Sequence, residues 1–338
     1  MKNVIKKSLI IVLIMFIILY FILKDDFQAI MEQLASVSII WILIGIALMF
    51  ISFVFKTLAL YILVKEQNKE IKFSAILQQV IITEFFNGIT PFSTGGQPMQ
   101  VYMLTKKGVG VASATNIIVQ SFIFFQVALL LHGFIALFLN YTLNIVSISS
   151  SLWTLIMLGF TINVVVGIGL LFISFSKKFN NFIGKLVINI CTKFKIVKDK
   201  DKTIEKWTVK LEEYNNNAVI LRKKKSLFVK GILYNFMALL ILYSIPILVV
   251  YSMNNQGSIT LIDVAVSSAF VLIIGNFVPI PGGSGGIEYG FMQFFGMFFK
   301  GSVLSAMLLI WRFITYYFGI IMGGITLGFF KGDVKEWE

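Results

Sequence analysis

One cysteine, one histidine, five prolines and charged residues at only 13% of 338 positions set the limits of this chain. Cys191 alone excludes an intramolecular disulfide and any thiolate metal cage. His132 stands in an apolar stretch, with no second His, Cys or acidic residue at ligand spacing. No Ser-His-Asp or Cys-His pattern is present for nucleophilic catalysis. The run Gly282-Gly283-Ser284-Gly285-Gly286 lacks the Lys-Ser/Thr of a phosphate-binding loop, so no nucleotide site of that kind follows. No metal and no cofactor is expected. Acidic residues are also scarce, 16 against 29 lysines and arginines, a balance of +13. Nucleic acid is nevertheless excluded as a partner. Fourteen Lys/Arg against five Asp/Glu fall within 175–226, and most of the rest flank apolar runs, which is how cytoplasmic loops are charged.

What the chain has in excess is hydrocarbon. Hydrophobic residues make up 58%, and the mean hydropathy is +0.89, far from the mix of a soluble domain. Runs long enough to cross about 30 Å of bilayer core recur from end to end. The first, residues 4–23, opens among Lys2, Lys6 and Lys7 but ends in Lys24-Asp25-Asp26 without a small-residue cleavage site, so it reads as a retained span. With lysine-rich loops in the cytoplasm, 4–23 crosses out and 39–64 returns. The stretch 74–104 both begins and ends beside lysines, at Lys72 and Lys106-Lys107, so it is a hairpin dipping in from the cytoplasm. Residues 113–139 cross out, 152–174 return and 227–251 cross out. A second hairpin over 259–299 enters from outside, and 302–330 leads back to a cytoplasmic tail. The expected fold is all-α and membrane-embedded: six spans and two oppositely oriented re-entrant hairpins arranged as an inverted repeat. Residues 1–174 form the first membrane half and 227–338 the second. Between them 175–226 is a basic segment, with Phe179, Phe182, Ile183, Leu186, Val187 and Ile190 at the spacing of an amphipathic helix. The chain is thus a multi-pass cell-membrane protein with both termini cytoplasmic.

Both hairpins break on one pattern. Pro91-Phe92-Ser93-Thr94-Gly95-Gly96 and Pro281-Gly282-Gly283-Ser284-Gly285-Gly286 each read Pro-x-x-[Ser/Thr]-Gly-Gly, and an Asn (Asn87, Asn276) precedes each. Proline removes a backbone donor and glycine removes the side chain, so a helix stops there. Broken backbone survives at bilayer depth only where protein buries it or a polar cavity wets it. Matching breaks in two halves point to a transporter's binding site.

Three runs carry a family resemblance. They are Thr90-Pro91-Phe92-Ser93-Thr94-Gly95-Gly96-Gln97-Pro98-Met99-Gln100-Val101-Tyr102-Met103-Leu104, then Pro279-Ile280-Pro281 through Gly286-Ile287-Glu288, and Trp311-Arg312-Phe313-Ile314-Thr315-Tyr316. Together they resemble the lysylphosphatidylglycerol synthase transmembrane family over essentially the whole chain. The resemblance implies a lipid flippase like the N-terminal part of bifunctional phosphatidylglycerol lysyltransferase/flippases, which resist cationic antimicrobial peptides by displaying aminoacylated lipid. Its partners would be anionic or aminoacylated phosphatidylglycerol; a homo-oligomer is left open. Only eight residues follow the last predicted span, so the soluble acyltransferase domain is not expected and the reading leans away from an enzyme. The alternatives are a membrane component of a phosphatidylglycerol lysyltransferase, a polyprenyl-phosphate or small-anion transporter, and a scaffold acting through 175–226. The chain departs from many relatives in having Gln97 where they have Glu. It also has Gln120-Ser121-Phe122-Ile123-Phe124 where they have Glu-Arg-x-x-Asp.

Charges deep in a bilayer cost about 2.5–3.5 kcal/mol each even on lenient scales. Glu84 and Arg312 lie about 15 Å inside their spans at 1.5 Å per residue. Glu288 follows the second break, Lys56 lies at intermediate depth, and Lys230 and Asp263 sit near span ends. The expected substrate site comprises Arg312 for a lipid phosphate, with Ser93, Thr94, Gln97 and Ser284 as hydrogen-bonding groups. Free N–H groups after Gly95-Gly96 and Gly285-Gly286 would add a positive dipole end. Glu84, Glu288 and Lys56 complete it, the carboxylates holding a headgroup amine or a proton. The competing expectation is that Arg312 pairs permanently with Glu288 or Glu84 and locks the two halves.

Overall fold

In a computed structural model the described residues are 27–176, 224–253, 259–276 and 278–330, with isolated positions between 178 and 192. The expected first span, most of the amphipathic segment and the C-terminal tail lie outside them. All regular structure among the described residues is helical: α1 (Phe27–Ala35), α2 (Ile39–Gln67), α3 (Phe73–Gly88), α4 (Gly96–Thr105), α5 (Val111–Leu143), α6 (Ser150–Phe175), α7 (Lys225–Ser252), α8 (Leu261–Gly275), α9 (Gly286–Phe295) and α10 (Gly301–Gly328). α1 occupies what the sequence reading treats as an external loop.

Local chemistry sets the ends. Ser149 caps α6 by accepting the Leu152 N–H. Thr260 and Asp263 form a reciprocal capping box on α8, which gives Asp263 a structural task at the helix start. α5 stops where Asn144 turns left-handed at φ +50°. Between these ends apolar side chains predominate around the long helices, as hydrocarbon requires. Five helices, α2, α5, α6, α7 and α10, are long and apolar enough to cross a membrane. Exposed residues on them are large and apolar, among them Leu43, Phe134, Phe138, Val165, Leu233, Ile321 and Ile325.

Contacts give the directions. α2 runs antiparallel to α7, with Trp41 on Tyr251, Ser52 Oγ donating to the Ala238 carbonyl at 3.0 Å, and Phe55 near Tyr234. α2 runs parallel to α10, as Gly45 meets Ile314 and Phe50 meets Phe318. α5 runs parallel to α7, with Phe124 on Phe228 and His132 on Phe236, and antiparallel to α6, where Gln126 Nε2 donates to Asn163.

The remaining helices are too short to cross. α3 and α8 have 16 and 15 residues, about 24 and 22 Å; α4 and α9 have ten each, about 15 Å. Each pair folds back at one of the Pro-Gly breaks. A constant offset of 190 relates the two units: Pro91 to Pro281, Gly96 to Gly286 at the starts of α4 and α9, and Val111 to Gly301 at the starts of α5 and α10. Packing repeats too, since α3 lies on the end of α10 as α8 lies on α5.

Candidate functional site

The two breaks share one backbone. Each opens with a short tight turn begun by proline, and the next two residues are left-handed: Phe92 and Ser93 at φ +54° and +52°, Gly282 and Gly283 at +63° and +64°. In the second tip glycine takes these values freely. In the first tip two ordinary residues do, each at a backbone cost of about 1–2 kcal/mol, and Phe92 is 53% exposed. The tips touch one another. Phe92 and Ser93 line a small space with Asn276, Gly282, Gly283 and Ile287.

Arg312 lies at this junction, 5% exposed. Its Nε donates to Glu288 Oε1 at 2.7 Å and its Nη2 lies 2.6 Å from the same oxygen. Nη2 also donates to Ser284 Oγ at 3.2 Å, and both terminal nitrogens reach the Gly282 carbonyl at 3.3–3.4 Å. Glu288 spends its other oxygen on the Gly285 N–H at 2.6 Å, half of a capping box for α9. Charge, carbonyl and hydroxyl thus satisfy the guanidinium from one hairpin tip. Tyr316, one turn beyond Arg312, stacks its ring 4.4 Å from the guanidinium carbon and donates from its hydroxyl to the Gly88 carbonyl at 2.8 Å. It ties the second unit's site to the end of α3 in the first. A π turn over Phe313–Tyr317 interrupts α10 there, and such single turns cluster at functional sites.

A second, half-buried charge pair is separate. Lys56 on α2 donates to Glu84 on α3 at 2.7 Å, the side chains 25% and 20% exposed. Glu84 therefore pairs with Lys56, and Arg312 with Glu288.

The structure draws together Arg312, Glu288, Ser284 and the second tip, and brings Ser93 against them. Thr94 is exposed and turns back onto the Pro91 carbonyl. The expectation of free N–H groups after the glycine pairs is corrected in part. Gly95 N–H is held by Thr90 Oγ1 at 2.8 Å, Gly96 N–H by Asn87 Oδ1 at 3.0 Å, and Gly285 N–H by Glu288. Side chains from within each hairpin satisfy these donors. Pro281 is buried and Pro91 exposed. His132 packs on Phe236 at 3.9 Å, with Nδ1 3.0 Å from the Ala128 carbonyl.

Sequence reasoning gave Tyr316 no role, although its signal was available: an aromatic four residues after a buried arginine lies over it on a helix. Tyr316→Phe keeps the stacking and deletes the bond to Gly88. It is expected to cost about 1 kcal/mol, read by denaturant unfolding in micelles.

A helical scaffold with five helices able to span a bilayer, carrying two hairpins whose tips meet over a buried ion pair, defines a multi-pass membrane protein. The model of the lysylphosphatidylglycerol synthase TM region matches residues 7–323, and the chain belongs to that family. A "UPF0104 membrane protein" of Archaeoglobus fulgidus is 24% identical over 271 residues, 77% of each chain. An "Uncharacterized protein MG306" of Mycoplasma genitalium is 24% identical over 269 residues, 72% of this chain and 66% of its own.

Proposed function

We propose that this chain moves a phosphate-bearing lipid headgroup between leaflets while the acyl chains stay in the bilayer, with lysyl-phosphatidylglycerol the first candidate. The observation that carries this reading is the meeting of two like-built tips around Arg312 and Glu288. The family description adds the lipid class. In the proposed layout six spans, counting 4–23, surround two hairpins that dip from opposite faces. Arms of about 15 Å, too short to cross, support the hairpins. The parallel pairs α2/α10 and α5/α7, each antiparallel to the other, support opposite entrance.

Mechanistically, Arg312 is held ready by partners that a phosphate can replace. A headgroup phosphate offers a pair of anionic oxygens that the planar guanidinium fork can grip bidentately. As it binds, Glu288 is released and becomes free to hold a headgroup amine. Alternate parting of the two tips then exposes the site to one face or the other.

The test is leaflet exposure of lysyl-phosphatidylglycerol in proteoliposomes, read with a membrane-impermeant amine reagent. Wild type is expected to expose the lipid faster than empty liposomes, and Arg312→Ala is not. Folded wild type performing no better than empty liposomes for this lipid and for phosphatidylglycerol would refute the reading.

A further inference from the structure

The arms of the first hairpin open beside Lys65, Lys69, Lys106 and Lys107, at the end where Lys224 pairs with Glu66. There the turn after α2, the start of α3 and the end of α4 border an open cavity of about 550 Å³, whose polar wall is Asn68, Glu70, Lys72, Ser74, Gln78 and Lys107. Asn68 Nδ2 reaches the Lys107 carbonyl at 3.5 Å and spans the opening. Lys72 and Lys107 pair with no carboxylate among the described residues, and Glu70 is the single acid on the wall.

Behind this mouth the packed seam between α3 and α4 buries two side-chain amide oxygens. Gln79, fully buried, donates from Nε2 to the Gln100 carbonyl at 3.1 Å, while its Oε1 has no partner. One turn deeper Thr83 faces Gly96, and a Cβ on that glycine would lie 2.3 Å from Thr83 and from Asn87. Next to Gly96 the buried Oε1 of Gln97 is also unpartnered. The positions 190 residues on are Ala269, Ile273 and Ile287, so the twin seam of the second hairpin is apolar. A buried acceptor is costly unless a donor reaches it, and here two lie in one seam behind a cationic mouth.

We infer that the α3–α4 seam is the entrance for an anionic, phosphate-bearing headgroup, bound first between Lys72 and Lys107 and met deeper by the Gln79 and Gln97 amides. The acceptors suit a headgroup that carries hydroxyl or amine donors beside its phosphate. The role as entrance rests on the transport reading; the anion site itself does not.

The test reads access rather than transport, so failure of either leaves the other standing. In a chain with Cys191→Ser, cysteine is placed on the cavity wall (Gln78→Cys), in the seam (Gln79→Cys) and in its twin (Ala269→Cys). Anionic sulfonatoethyl and cationic trimethylammonioethyl methanethiosulfonates are applied at low salt to the face bearing the 68–72 turn. The first two positions are expected to react and Ala269→Cys is not. The anionic reagent gains about five-fold over its ratio on free cysteine, the order expected for two unit charges within a Debye length. Lys72→Gln with Lys107→Gln removes that gain. Protection of Gln78→Cys in phosphatidylglycerol vesicles relative to phosphatidylcholine identifies a lipid headgroup. Protection by inorganic phosphate in phosphatidylcholine vesicles identifies a soluble phosphate compound. Unreactive cysteines at 78 and 79 in folded protein, an unchanged ratio without the lysines, or protection by neither would overturn the inference.

Discussion

Arg312→Gln is expected to destabilise the protein by about 3–5 kcal/mol, and adding Glu288→Gln to recover most of that loss. The single variant removes a cation that Glu288 meets at 2.6–2.7 Å and leaves the carboxylate in a site where only 12% of its side chain is exposed. An unpaired charge there loses its solvation without a compensating partner. The Gly285 N–H still binds Glu288, but one amide does not offset a buried negative charge. In the double variant two neutral amides can bond each other, the Gly282 carbonyl and Ser284. Denaturant titration of the purified protein in micelles, wild type beside both singles and the double, checks this. A double variant as unstable as the sum of the singles would mean that the two side chains do not act as a pair.

Gly282→Ala carries the second large effect. The position has φ +63°, where a Cβ costs about 1–2 kcal/mol. A Cβ would also lie 2.1–2.4 Å from three atoms of the Tyr316 ring and hydroxyl. That ring cannot swing aside freely, because Gly88 holds its hydroxyl and Arg312 covers its face. Overpacking of this kind adds about 1–3 kcal/mol. Gly108→Ala serves as the control, since φ is +80° in the turn after α4 but nothing lies within 4 Å of a Cβ. Gly282→Ala should therefore cost about 2 kcal/mol more than Gly108→Ala, and the excess should vanish when both are made with Tyr316→Ala. Equal costs for the two glycines would remove Tyr316 from contact with the tip.

Much of the architecture was legible because the bilayer punishes broken helices and unpaired charges. The Pro-x-x-[Ser/Thr]-Gly-Gly breaks located both tips, and the lysines beside 74–104 made the first stretch a hairpin. Burial cost singled out Arg312, Glu288, Glu84 and Lys56 as residues needing partners. Which partner each takes depends on how helices far apart in sequence pack, and spacing does not encode it; hence the Lys56–Glu84 pair was not foreseen. The capping of Gly96 by Asn87, nine residues away, depends on the path of the tip between them. The shared backbone of the two tips was similarly hidden, because Phe92 and Ser93 adopt left-handed values that sequence assigns to glycine.

On the proposed function the Arg312–Glu288 pair serves transport, beyond holding the two halves together. The direct measurement is lipid exposure in proteoliposomes by the Arg312→Gln, Glu288→Gln double variant, once its stability is shown to be near wild type. The account predicts a folded protein that exposes lysyl-phosphatidylglycerol no faster than empty liposomes. Exposure at the wild-type rate would make the pair a structural lock and move the substrate site elsewhere.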